Sequence, residues 1–146
     1  MSLEKNKAIV CKYIESYNSR NLDFDDLFAP DYFDHTHQQK GLEGMKQLMN
    51  MAFKAFPDWY ETIEEINAEG DKVWVRLTYT ATHIGEYLGI APTGKKITLK
   101  AVAIYRIANE KIVEGRFVTD QLNFLKQLGV IEITEKGKIF FQEDVK

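Results

Sequence analysis

The chain has 146 residues, a length that suits one domain with a substantial core. Its 45% apolar and 12% aromatic content predicts a packed globule and excludes a disordered chain. A formal charge of −3 with scattered Lys and Arg excludes the dense basic footprint of a nucleic-acid binder.

The lone cysteine, Cys11, rules out an internal disulfide framework. No apolar run reaches membrane-spanning length, and Met1–Asn6 is not followed by a hydrophobic signal region. The chain therefore reads as cytoplasmic, with no membrane partner.

Along the chain, residues 4–18 read as a helix, because Ile9, Val10, Tyr13, Ile14 and Tyr17 make one apolar stripe. Asn18-Ser19-Arg20-Asn21 breaks it, and Leu22–Phe28 is predicted as a short second helix that stops before Pro30. Gly41-Leu42-Glu43-Gly44 opens a longer helix whose apolar face runs from Leu42 to Phe56. Pro57-Asp58 ends it.

The period then changes from helical to alternating. Tyr60, Ile63 and Ile66 lead to the turn Ala68-Glu69-Gly70-Asp71, and 72–83, 96–107 and 111–120 read as long strands. Val73, Val75, Leu77, Tyr79, Ala81 and His83 share one face of the first. Ile97, Leu99, Ala101, Ala103, Tyr105 and Ile107 share one face of the second. Helices in front and antiparallel strands behind make the class α+β. Leu122, Leu125 and Leu128 before Gly129 predict a short helix, and the apolar residues of 130–146 predict a terminal hairpin packed on the body or on a second subunit.

Two segments carry the chemistry. His83–Lys95 is a Gly/Pro-punctuated loop between strands, and Arg116–Leu122 is an apolar strand closed by Asp120. A carboxylate in a concave apolar site has a raised pKa suited to proton transfer, whereas Asp at a helix start is also an ordinary N-cap. Both readings of Asp120 stand. His35 and His37 have chelating spacing but no cysteine or carboxylate set beside them, so no metal is expected. Gly85, Gly89 and Gly94 lack the strand-to-helix setting and the Lys-Ser/Thr pair of a phosphate loop.

From about Ile9 to Gly129 the chain resembles the SnoaL-like polyketide cyclases, or ester cyclases, of the group that includes nuclear transport factor 2 and ketosteroid isomerase. The resemblance is carried by Asp34-His35, Gly44 and Phe56-Pro57-Asp58, then by Gly70–Val73, Thr82–Glu86 and Leu88–Lys95. Arg106-Ile107, Lys111–Glu114, Asp120 and Leu125–Gly129 complete it. It implies one domain over 1–129 with an extension over 130–146. The implied architecture is a cone-shaped α+β barrel, with a strongly curved, mostly antiparallel sheet wrapped around N-terminal helices and a deep apolar pocket between them.

The resemblance further implies a homodimer formed through the sheet and cofactor-independent lyase or isomerase chemistry. An aspartate matching Asp120 acts as general acid/base in an intramolecular aldol closure. Such a base removes a proton next to a carbonyl, and the enolate attacks a second carbonyl held close. Relatives keep histidines at the places of His35, at the pocket rim, and His83, which ties the following loop.

The expected substrate-binding set is Arg116, His35, Tyr17, Phe53, Trp59, His83 and Tyr105, around a hydrophobic small molecule. The chain departs from the family at Arg116, where an aromatic is common, and at Gly115, where a polar or imidazole side chain is common. Arg116 either pairs with Asp120 or binds an acidic substrate. The alternatives to an enzyme are a noncatalytic binder of a hydrophobic acid and a protein-interaction module that uses its sheet.

Overall fold

The computed structural model describes residues 2–141. Helix α1 spans Leu3–Asn18 and is capped by the Ser2 hydroxyl, which accepts the Lys5 amide; Asn6, Val10, Tyr13, Ile14 and Tyr17 form its buried stripe. Strands β1 (Phe28–Asp34) and β2 (Gln39–Lys40) follow, then helix α2 (Leu42–Ala55). Strands β3 (Tyr60–Glu69), β4 (Lys72–Thr82), β5 (Lys96–Ala108) and β6 (Lys111–Thr119) come next, and then helix α3 (Gln121–Leu128). They build one six-stranded sheet of order β2-β1-β6-β5-β4-β3, and α1 lies against β3, β4 and β6.

The α+β class stands, but the expected barrel and strong curvature do not. The sheet is open, ends in edge strands β2 and β3, and is mixed, because β1 pairs with β6 in parallel. The cause lies in the ladders. β4 and β5 pair without a break from Lys72↔Arg106 to Thr82↔Lys96, and irregularities occur only at Ile63/Glu65, Arg106/Ile107 and Phe28/Phe33. Bulges are what bend a strand, so the centre of the sheet stays comparatively flat. A two-residue β2 cannot reach round to β3.

The alternation expected for β4 and β5 holds. Val73, Val75, Leu77, Tyr79 and Ala81 are buried with Ile97, Leu99, Ala101, Ala103, Tyr105 and Ile107. Each large aliphatic side chain covered this way contributes about 1.5–3 kcal/mol.

The expected helix over Leu22–Phe28 is instead a turn leading into β1. The Asn21 side chain accepts the Asp23 amide, Leu27 bonds back to Phe24, and the Leu27 carbonyl receives the Ile112 amide from β6. Side-chain competition for the backbone at Asn21 favours the turn. In the tail, where a hairpin was expected, Glu135–Lys138 forms a four-residue helix, α4, and Ile139–Phe141 a 3₁₀ turn; 142–146 lie outside the described residues. Among the described residues no helix is long and apolar enough to cross a membrane.

Candidate functional site

The inward face of the sheet meets α1 in a cluster of tyrosines. Tyr13 packs edge-on to Tyr105 at 6.0 Å between ring centres and to Tyr17 at 6.3 Å; Tyr17 lies 4.9 Å from Phe53, and Trp59 5.3 Å from Tyr79. Tyr13, Tyr17, Tyr79 and Tyr105 are buried, yet no described group hydrogen-bonds any of their hydroxyls. Unlike the Tyr32 hydroxyl, which is fully enclosed, these four oxygens are not sealed in by protein, so they offer polar groups within an otherwise apolar cluster.

Glu61 belongs to this cluster. It stands opposite Tyr79 in the β3–β4 ladder and receives the Trp59 indole N–H at 3.4 Å. The Asn18 side chain, at the end of α1, donates to the Glu61 carbonyl and accepts its amide, both at 2.8 Å. Arg20 fixes the preceding segment by donating to the carbonyls of Pro57 and Trp59 at 2.6 and 2.7 Å, while its guanidinium lies 4.1 Å from the Phe53 ring centre.

Glu61, Trp59 and Phe53 are half-buried as residues, which makes theirs the least covered end of the cluster. Burial nevertheless pushes the Glu61 carboxyl up to about 7, against the lowering effect of the Trp59 bond. Burial and then the Glu61 charge hold the phenols of Tyr13, Tyr17 and Tyr79 well above their ordinary range. Tyr105 is raised by burial, then by Tyr13 and Glu61.

Of the residues expected to bind substrate, Tyr17, Phe53, Trp59 and Tyr105 come together here. The others lie elsewhere. His83 is fully buried and stacked on Phe56; the Thr93 amide donates to its Nδ1 at 3.2 Å, and its Nε2 is a buried atom without a partner among the described residues. His35 Nε2 sits 2.7 Å from Glu114, whose other oxygen takes the Arg106 guanidinium. Arg106, more than His35, holds the Glu114 carboxyl below its usual range. His37 is held by Asp34 at 2.6 Å.

Asp120 follows β6 on the other side of the sheet. Its amide bonds the Lys100 carbonyl, its side chain accepts the Asn123 amide at 3.3 Å to cap α3, and it is exposed. It lines an open groove of about 370 Å³ with Arg76, Thr78, Lys100, Val102 and Val118. Arg116 is exposed on that same outer face, opposite Ile104, and no ion pair joins it to Asp120 among the described residues. The inward positions of β6 are Ile112 and, past the irregularity, Gly115, Phe117 and Thr119, none of them a carboxylate.

Gly115 has a packing reason. A Cβ there would fall 2.2 Å from the Tyr32 hydroxyl, so the phenol of β1 occupies the space of a side chain at 115. That hydroxyl is buried and lacks a partner among the described residues.

Sequence reasoning missed Glu61, Asn18 and Arg20. The signal for Glu61 was present: alternation back from Ile63 puts residue 61 on the inward face. The irregularity between Ile63 and Glu65 shifts the phase to Ile66 and hides this in the spacing of Tyr60, Ile63 and Ile66.

Residues 7–128 match the SnoaL-like polyketide cyclases, and the chain belongs to that family. Among relatives, it is 30% identical over 129 residues to the aklanonic acid methyl ester cyclase AcmA of Streptomyces galilaeus, covering 84% of this chain and 89% of AcmA. It is 26% identical over 137 residues to the corresponding cyclase DauD of Streptomyces sp. strain C5, with 88% and 84% covered. Among solved structures, AclR of S. galilaeus, a candidate hydroxylase, superposes with a TM-score of 0.82 at 30% identity, over 92% of this chain and 91% of AclR. TsrD of Streptomyces laurentii shares the fold, with a TM-score of 0.80 at 23% identity over 90% and 99% of the two chains.

Proposed function

We propose that this protein is a cofactor-independent enzyme of the SnoaL type, performing acid/base chemistry at a carbonyl-activated carbon of a hydrophobic, polyketide-type substrate. One observation carries the reading. Four tyrosines from α1, β4 and β5, whose hydroxyls no described group hydrogen-bonds, share the inward face with the carboxyl group of half-buried Glu61. Aromatic walls suit a fused-ring substrate, and phenol O–H groups suit carbonyl oxygens that gain negative charge.

In an aldol closure the carboxylate takes the proton alpha to one carbonyl, and the phenols hold the resulting enolate oxygen. The enolate carbon then attacks a second carbonyl, and the new alkoxide recovers the proton. The net change is an isomerisation with no outside reductant or oxidant. The outer face of the sheet, with Trp74 and Val118 exposed beside Val102 and Ile104, fits a homodimer interface formed by a second copy of the chain.

The test is incubation with aklanonic acid methyl ester and nogalonic acid methyl ester, the compounds in the relatives' names, followed by chromatography and mass spectrometry. A new product of unchanged mass, formed in proportion to enzyme, is expected. Saturable binding without product would move the protein to a noncatalytic binder, and neither binding nor product would end the reading.

A further inference from the structure

We infer that Glu61, rather than the aspartate at the end of β6, is the carboxylate that takes and returns the proton in this chain. The inference rests on the proposed reaction and names the group that performs it. The geometry favours Glu61 at each point of comparison. Its backbone is clamped on both sides by Asn18, its carboxyl takes the Trp59 N–H, and it stands across the ladder from Tyr79. Tyr79 of β4 faces it across the ladder and Trp59 by its indole N–H, while Tyr13 and Tyr17 of α1 and Tyr105 of β5 lie close enough to feel its charge, with the Arg20 guanidinium beside Tyr17 and Phe53.

Asp120 has none of this setting. It is exposed, its backbone continues the ladder on the Lys100 side, and its side chain serves α3. A substrate ring among the tyrosines would be separated from Asp120 by the thickness of the sheet. β6 offers Phe117 on the inward face, so the carboxylate of this site comes from β3 at the other end of the order β1-β6-β5-β4-β3.

The step balances. The Glu61 carboxylate forms an O–H bond to the alpha proton as the C–H bond breaks, and its electron pair becomes the enolate. The enolate carbon forms the C–C bond, the attacked carbonyl becomes an alkoxide, and Glu61 gives the proton back to that oxygen. A carboxyl titrating near neutrality is matched to both halves of this cycle.

The experiment uses the full chain and two readouts. Cyclisation of the two methyl esters is followed for wild type, Glu61→Gln, Glu61→Asp and Asp120→Asn. Loss of deuterium from 2-tetralone labelled at C1 is followed by NMR with the same four proteins. Glu61→Gln is expected to slow deuterium loss and cyclisation by about 100-fold or more with KM changed less than threefold, and to remove the acidic limb of the kcat profile near pH 7. Glu61→Asp keeps a measurable part of the rate, and Asp120→Asn stays within threefold of wild type.

Circular dichroism and a thermal melt separate loss of function from loss of fold. If Glu61→Gln does not fold, the wild-type and Glu61→Asp pH profiles decide: a limb near 7 that moves with the shorter side chain supports the inference, and an unmoved limb overturns it. Glu61-dependent deuterium loss without cyclisation would leave the inference standing while ending the cyclase reading. Cyclisation unaffected by Glu61→Gln but abolished by Asp120→Asn would overturn the inference and keep the reading. No deuterium loss and no cyclisation in wild type would overturn both.

Discussion

Glu61 should make the protein less stable as pH rises, and the size of the effect follows from its position. The carboxyl titrates at about 7 in the folded state and near 4.5 in an unfolded chain. Between those values the folded state binds more protons than the unfolded state, so stability falls with pH across that window. Below about 4.5 both states are protonated and the penalty is absent; above about 7 it is complete. A shift of roughly 2.5 units corresponds to about 3.4 kcal/mol at most, and solvent screening at a residue that is only half-buried trims this toward about 2. Glu61→Gln removes the titration while keeping an amide that can accept the Trp59 N–H. Urea unfolding of both proteins from pH 5 to pH 8.5 isolates the effect, because every other titrating group cancels in the difference. The variant is expected to gain about 2 kcal/mol over wild type at pH 8 relative to their difference at pH 5. A difference that stays flat within 0.5 kcal/mol, a resolution limit on the order of the usual error in such extrapolations, would show that the carboxyl is not buried among the tyrosines.

Gly115→Ala should destabilise the fold by about 1–3 kcal/mol in urea unfolding, because its Cβ would overlap the Tyr32 hydroxyl. Tyr32→Phe removes that overlap and a partnerless buried hydroxyl, so it should cost less than about 0.5 kcal/mol alone and restore most of the loss in the double variant. Asp120→Ala should lower stability by about 1 kcal/mol through the lost α3 cap, read as a lower melting temperature, with no change in deuterium loss from 2-tetralone.

Much of the fold was legible because its signals are local. The stripe of α1, the apolar face of α2 closed by Pro57 and the alternation of β4 and β5 each specify an element from adjacent residues. What failed depends on partners distant in sequence. The stretch before Phe28 has helix-like spacing, but β1 is held as a strand by Ile112 of β6, 84 positions from Phe28 in their register. The degree of closure was no more legible, since it is set by how few bulges interrupt the β4–β5 ladder, and a bulge has no reliable sequence mark when no glycine is needed for it.

The site divides along the same line. Tyr17, Phe53, Trp59 and Tyr105 follow from the inward faces of their elements, and the structure brings them together. Asp120 and Arg116 have a face as well: counted from buried Gly115, both fall on the outward side of β6, which alternation alone would have indicated. The carboxylate with inward parity is two residues before Ile63. An inward Glu flanked by apolar positions opposes the local pattern of its strand, and such conflicts cost stability unless the site uses them. The penalty expected for Glu61 above neutral pH and the proton transfer proposed for it therefore have one physical origin, the desolvation of a carboxyl near phenols that no described group hydrogen-bonds. A variant that relieves the first should lose the second, so stability at pH 8 and the rate of deuterium loss should move in opposite directions in Glu61→Gln.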